Sequence, residues 1–219
     1  MSARVRARLG TVTPMARGRA RSAVVVGLLA FATIVGLAGA ARADDLATAQ
    51  EAIDALTASV PGLTPVTGGG QTPPVPECDG AREADALALE AGGLLQSYGG
   101  PGGGGSGQIV VFDSKRSAKR FFKLLTNGDA EGCIVATTAA FSGGATPSAD
   151  LTRGRLRGVR GSVTLRGTIT IGALEIQETD AVVRRGTVVI RGAVGELPTS
   201  SAPLGPIFDD WVKTTAERF

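Results

Sequence analysis

Histidine is absent from the 219-residue chain, and cysteine occurs only twice. The absence of histidine excludes catalytic Ser-His-Asp and Cys-His arrangements, which use the imidazole as their base. It also removes a ligand that most catalytic zinc sites use. We therefore expect a protein that is not an enzyme and that binds no cofactor or metal.

One catalytic alternative does not need histidine, because a pair of carboxyl groups can hydrolyse a glycosidic bond. Its candidates here are Asp113, Asp129 and Glu131. Their spacing gives no sign that they converge, and acidic residues on a solvent-exposed surface are expected in any case. A carboxylate-based hydrolase is therefore only a remote alternative.

The first 43 residues contain no acidic side chain. Arginines are concentrated in residues 1–22, an apolar run fills residues 23–41, and small residues flank Arg42 in Ala41-Arg42-Ala43. This order is typical of a secretory signal peptide with its cleavage site. The run of 19 residues could also just span a bilayer, so an uncleaved signal anchor is the alternative. A cleaved signal peptide predicts a secreted protein, and an uncleaved signal anchor predicts a protein held at the cell envelope.

No cysteine precedes Cys78, so the chain lacks the residue that a bacterial lipoprotein signal would acylate. The paired arginines of a twin-arginine signal are also absent, which favours the general secretory route. We therefore expect a protein that is not a lipoprotein. The membrane is a partner only if the signal remains uncleaved.

The net charge changes sign when the signal is removed. The full chain has 23 basic and 20 acidic residues, but seven of the basic residues and none of the acidic residues lie in residues 1–43. The remainder has 16 basic and 20 acidic residues, a net charge of −4. The high isoelectric point of the full chain is therefore no evidence for nucleic-acid binding, and no nucleic-acid partner is expected.

The chain has an even number of cysteines, Cys78 and Cys133. In an exported protein, two such residues most simply form one disulfide. The bond would close a loop of 55 residues. In the chain-entropy model, such a loop contributes about 4 kcal/mol to the free energy of unfolding.

The chain after the signal divides into three parts. Residues 44–60 carry apolar side chains at alternating spacings of three and four, which predicts a helix. Residues 61–76 hold five prolines and four glycines and predict a linker. Residues 77–219 are long enough for a single domain. The sequence leaves open whether the helix packs on that domain.

Within the domain, the segment after Cys78 carries an apolar stripe from Ala84 to Leu95, which predicts a helix. The glycine-rich residues 99–107 lack the lysine of a phosphate-binding loop, so a flexible connection is expected there. Residues 108–112 then predict a strand, residues 114–126 a helix capped by Asp113 or Ser114, and residues 133–136 another strand.

The C-terminal part predicts mainly β-structure. Residues 162–171 alternate between apolar and polar side chains, so one face is expected to be buried and the other solvated. Residues 181–190 predict a hairpin whose turn contains Gly186. Phe208 and Trp211 belong to the apolar face of a final helix that begins near Leu204. The predicted fold is α+β, an antiparallel sheet with helices packed on it.

Two groups of basic residues are candidates for binding an anionic ligand. The 114–126 helix carries a stripe at four-residue spacing, and a second group lies two residues apart and would share one strand face. The two groups are Lys115, Lys119 and Lys123, and Arg153, Arg155 and Arg157. Arginine offers paired donors to phosphate or carboxylate. The alternatives are a solvated helix face for the first group and protection of a sheet edge for the second.

The phrase IVVFDSKRSAKRFF followed by Cys133, the hairpin VVRRGTVVI and the ending TTAERF resemble a family of exported actinobacterial domains. These are the extracellular sensor domain of the PknH-type serine/threonine kinases and its free-standing secreted relatives. The resemblance covers about 140 residues, from Cys78 to Phe219. It implies an α+β fold with an antiparallel sheet, a disulfide, and non-catalytic ligand sensing or binding at the envelope.

The leading hypothesis is a non-catalytic binding or sensor-like domain whose partner is a cell-envelope polymer or lipid. The alternative is a structural or interaction protein of the envelope that binds a protein partner and no small ligand. A cavity between the 114–126 helix and the sheet, lined by apolar groups and arginines, would favour the first. A filled core with a flat apolar surface patch would favour the second.

Overall fold

The computed structural model describes residues 43–60, 62–67, 76–141, 146–200 and 203–219. The predicted signal, apart from Ala43, and most of the predicted linker lie outside the described residues. Within the described ranges, no helix has the length and apolar character needed to cross a membrane.

The expected α+β fold with an antiparallel sheet is confirmed. Five α-helices surround one seven-stranded sheet in the described part of the chain. The helices are α1 (Ala43–Ser59), α2 (Asp79–Glu90), α3 (Lys115–Thr126), α4 (Ala130–Phe141) and α5 (Leu204–Arg218), and a short 3₁₀ turn, Pro76–Cys78, precedes α2. The strands are β1 (Thr64–Val66), β2 (Leu94–Gly100), β3 (Gly103–Val111), β4 (Pro147–Gly154), β5 (Ser162–Ile171), β6 (Leu174–Arg185) and β7 (Val188–Glu196). Their order across the sheet is β1-β2-β3-β7-β6-β5-β4, and every neighbouring pair is antiparallel.

Helices cover both faces of the sheet. Successive side chains of a strand point to opposite faces, so Ile109 and Val111 of β3 join the core beneath α1 and α5. Val110 and Phe112 face the other way and join the core beneath α2 and α3. The central strands are therefore buried on both sides, although the sheet is antiparallel.

The two terminal helices are joined to each other and to the sheet. Trp211 of α5 donates a hydrogen bond from its indole Nε1 to the carbonyl oxygen of Ala52 in α1, at 2.7 Å. Leu56 of α1 and Phe208 of α5 are fully buried in the same core. The sequence left the placement of this first helix open, and the structure packs it on the domain.

The glycine-rich segment is not the flexible connection that its composition suggested. Residues 94–111 form the paired strands β2 and β3. A Cβ atom on Gly105 would lie 2.7 Å from the Phe208 ring, and one on Gly107 would meet Leu56 and Trp211. The glycines are therefore needed where the side chains of α1 and α5 approach the strand backbone.

Two further predictions about secondary structure are wrong. Residues 133–136, expected as a strand, lie in α4, because a short apolar run cannot by itself distinguish a strand from a packed helix. The helix after Cys78 ends at Glu90, before Leu94 and Leu95, which lie in β2. Gly92 has a φ of +68° and turns the chain at that point.

The β-rich C-terminal part is largely as predicted. The hairpin of β6 and β7 turns at Gly186, whose φ is +54°. Ser162 and Thr164 were expected on the solvated face of β5, yet both are buried. The loop before β5 covers Ser162, whose Oγ donates to the carbonyl of Val159 and accepts from the N–H of Leu156.

We expect Gly107→Ala to lower the free energy of unfolding by about 1–3 kcal/mol, because the new methyl group would collide with Leu56 and Trp211. Chemical denaturation of the domain measures the change. Gly128→Ala is the matched control, since a Cβ atom there meets nothing within 4 Å. Equal stability of the two variants would contradict the close packing of β3.

Candidate functional site

The basic side chains of α3 face solvent because its apolar side chains pack on the sheet. Ser114 caps the helix by accepting a hydrogen bond from the N–H of Ser117 at 3.1 Å. It is one of the two residues that the sequence predicted as the cap. Ala118 and Phe121 are buried, and the Phe121 ring lies 5.2 Å from that of Phe112. With this side of the helix fixed, the lysines and arginines can only point outward.

A shallow, solvent-open groove lies between α2 and α3, and we call it the basic groove. It includes two of the predicted ligand-binding residues, Lys119 and Lys123, whereas Lys115 lies outside its lining. Its lining residues are Glu83, Arg116, Lys119, Arg120, Lys123, Leu124 and Asn127. Four positive charges and one negative charge therefore line it.

Only one of these four cations is neutralised within the described structure. Arg120 forms an ion pair with Glu83, with Nη2 2.5 Å from Oε1 and a second hydrogen bond from Nε at 2.8 Å. Arg116, Lys119 and Lys123 form no ion pair with any described side chain. The groove therefore has an uncompensated positive charge on a domain whose net charge is negative.

The structure separates the three arginines that were expected to share a strand face. β4 ends at Gly154, so only Arg153 lies in a strand, and Arg155 and Arg157 are exposed in the following loop. The Nη2 of Arg153 donates to the carbonyl oxygen of Asn127 at 2.6 Å. Arg153 therefore lies at the α3 C-terminal end of the basic groove. Sequence reasoning did not identify Asn127 as part of this surface.

In the described part of the chain, the interface between α3 and the sheet is filled, so the cavity that would favour a ligand-binding module is not found there. Phe112, Phe121, Val110 and Val182 fill this interface. A cavity of about 40 Å³ lies nearby, between α2, α4 and the sheet, with Asp180 and Arg191 among its lining residues. That volume admits molecules the size of water and no small organic ligand.

A buried ion pair lies beneath this cavity. The Arg191 guanidinium donates from Nε and Nη2 to the Asp180 carboxylate at 2.6–3.2 Å, and both side chains are largely buried. Sequence reasoning missed the pair, although Asp180 and Arg191 each stand out as charged residues beside apolar strand segments. Loss of one partner would leave a buried charge unpaired, so this pair constrains how β6 and β7 meet α2 and α4.

Glu178 is buried on the same face of β6 as Asp180. The pKa of its carboxyl group is raised to about 8, first by burial and second by the neighbouring Asp180 carboxylate, while Arg191 partly offsets both effects. The side chain therefore carries its proton at neutral pH. Its cross-strand neighbours are Gly167 and Gly195, which leave room for the uncharged carboxyl group within the sheet.

The buried Glu178 predicts a pH dependence of stability. Its folded-state pKa lies above the ordinary value of 4.5, so the folded state retains a proton that the unfolded state loses. Stability should therefore fall as pH rises from about 4.5 to about 8, by up to about 1.4 kcal/mol per pH unit.

Glu178→Gln should remove this dependence, and denaturant unfolding at a series of pH values measures it. Glu175→Gln is the matched control, because Glu175 is exposed on the same strand. Parallel stability-versus-pH curves for the wild type and Glu178→Gln would contradict the assignment.

The predicted disulfide is present between Cys78 and Cys133. It joins the turn before α2 to α4, and both cysteines are buried, with Cys133 in the lining of the small cavity. Of the candidate acids of a hydrolase, Asp113 precedes α3, whereas Asp129 and Glu131 follow it. Among the described residues, no group of three or more acidic or cysteine side chains is arranged to hold a metal ion.

Comparison with known proteins finds similarity to a solved extracellular domain. No family model matches the chain, and no curated protein matches it. The chain is similar to the extracellular domain of PknH from Mycobacterium tuberculosis, with a TM-score of 0.40 and 14% sequence identity. The similarity covers 77% of this chain and 91% of that one. A similarity of this degree does not support assigning a ligand or a functional residue of that domain to this chain.

Proposed function

We propose that this protein is an exported, non-catalytic binding domain that holds an anionic component of the cell envelope in the basic groove. The observation that carries the proposal is the uncompensated charge of Arg116, Lys119 and Lys123. These cations lie side by side on one surface of a chain that is acidic outside its N-terminal segment. Such a concentration of one sign of charge attracts ligands of the opposite sign.

Two features support a location outside the cytoplasm. The arginine-rich start, the apolar run and Ala41-Arg42-Ala43 together have the order of a secretory signal. The buried Cys78–Cys133 disulfide requires an oxidising compartment for its formation in most organisms. The ligand is therefore sought among the anionic molecules of the envelope.

A binding role without catalysis fits the chemistry available in the groove. Lysine and arginine side chains bind anions, but at neutral pH they are protonated and are poor bases. The chain has no histidine that could act as the base, and Glu83, the acid in the lining, is paired with Arg120. We therefore assign the groove a role in holding a ligand.

Binding at an exposed surface has to combine several weak contacts. A single exposed ion pair contributes at most about 1 kcal/mol, and salt screens it. Three or four cations that act together on one ligand can still give useful affinity. The proposal therefore predicts binding that weakens strongly as ionic strength rises.

Co-sedimentation with isolated cell-envelope material tests the proposal. The protein that begins at Asp44 should sediment with the envelope at low salt and be released by added salt. Lys119→Glu combined with Lys123→Glu should reduce the bound fraction at least about tenfold, because each change replaces an attraction with a repulsion. The double variant should keep the wild-type melting temperature, since both residues lie on the exposed side of α3.

The matched control carries the same change in charge elsewhere. Arg160→Glu and Lys213→Glu alter two exposed cations outside the groove and should leave sedimentation nearly unchanged. Equal loss of binding in the control and in the α3 variant would mean that only net charge matters. Undiminished binding of the α3 variant would contradict the assigned site.

A structural or interaction role is the second candidate function. It draws on a solvent-open groove between α1 and α5, whose lining includes Pro203, Pro206, Ile207 and Trp211. Ile207 is only partly buried at the edge of the core, so part of this groove is apolar and accessible. Loss of envelope binding in Ile207→Glu, but not in the α3 variant, would favour this candidate.

A further inference from the structure

We infer that the basic groove holds a linear phosphodiester polymer, with successive phosphates bound along α3. This inference rests on the function proposed above and specifies its ligand. It arises from the spacing of the cations and from the position of Arg153.

The cations form a row with a regular repeat. Arg116 is followed one turn later by Lys119 and Arg120, and Lys123 comes one turn after these. A turn of helix advances about 5.4 Å, so the row on α3 extends about 10 Å. Arg153 continues it by one more position, because its guanidinium is fixed on the carbonyl of Asn127 just beyond the helix.

This repeat fits a chain of phosphate diesters joined by short carbon units. In a glycerol phosphate chain, successive phosphorus atoms are separated by six backbone bonds, which span roughly 7 Å when extended and less when bent. Each diester carries one negative charge, and arginine binds phosphate oxygens with paired donors. About four phosphates would cover the row from Arg116 to Arg153.

Two other anionic partners fit the groove less well. A helix that binds a membrane surface inserts an apolar face into the lipid, and α3 has already buried Ala118 and Phe121 against the sheet. Acidic polysaccharides present sugar rings on which aromatic side chains commonly stack, and the lining of the groove contains no aromatic residue. A flexible phosphodiester chain needs neither feature.

Glu83 adds a second, independent expectation. Its carboxylate lies in the groove, where it neutralises Arg120 and repels a bound phosphate. Both side chains of the pair are about half exposed, so the pair contributes little to stability. Glu83→Gln should therefore leave the fold intact and increase the affinity for the polymer several-fold.

Titration with synthetic oligomers of glycerol phosphate tests the inference. Isothermal calorimetry on the protein that begins at Asp44 should show negligible binding of glycerol 3-phosphate. Affinity should rise at least about tenfold up to about four units and change little with further length, because the row of cations is then occupied. Lys119→Gln with Lys123→Gln should weaken binding of the tetramer about tenfold or more and reduce its dependence on salt.

The control variant and the competing ligands separate the outcomes. Arg160→Gln with Lys213→Gln changes the same number of charges outside the groove and should bind like the wild type. Stronger binding to polygalacturonate, or to vesicles containing phosphatidylglycerol, than to the oligomer would overturn the inference but leave the basic groove as an anion-binding site. Failure of every anionic probe to respond to the Lys119 and Lys123 changes would overturn the proposed function as well.

Discussion

The close contact between β3 and the helices α1 and α5 is the constraint on which the rest of the structure depends. Gly105 and Gly107 have no side chains, so Phe208, Trp211 and Leu56 can pack directly on the strand backbone. The indole hydrogen bond from Trp211 to Ala52 then joins the two helices. With this face of the sheet occupied, the opposite face is available to α2 and α3.

The position of the basic groove follows from that arrangement. α3 buries Phe121 on the second face, which leaves its cations in solvent, and α2 supplies the other side of the groove. The disulfide joins the beginning of α2 to α4, and the Asp180–Arg191 pair lies in the sheet below them. A covalent bond and a buried ion pair thus hold the elements that surround the exposed basic groove.

Local patterns in the sequence predicted α3, the β6–β7 hairpin, α5 and the disulfide. Each depends on signals within a short segment, such as the cap at Ser114 or the turn at Gly186. The glycine-rich strands could not be predicted in this way. Their glycines are required by contacts with Phe208 and Trp211, which lie about a hundred residues away in the sequence. The candidate site was predicted only in part. The basic stripe on α3 is visible in the sequence. The hydrogen bond from Arg153 to Asn127 and the ion pair of Arg120 with Glu83 depend on tertiary structure.

The central claim is that ligand binding occurs at the α2–α3 surface, and amide chemical-shift mapping tests it most directly. The ¹⁵N-labelled protein that begins at Asp44 would be titrated with solubilised anionic envelope polymer. The account predicts that the largest shifts occur in residues 114–127 and at Arg153, with little change around Ile207 in α5. Shifts concentrated between α1 and α5, with α3 unaffected, would contradict it.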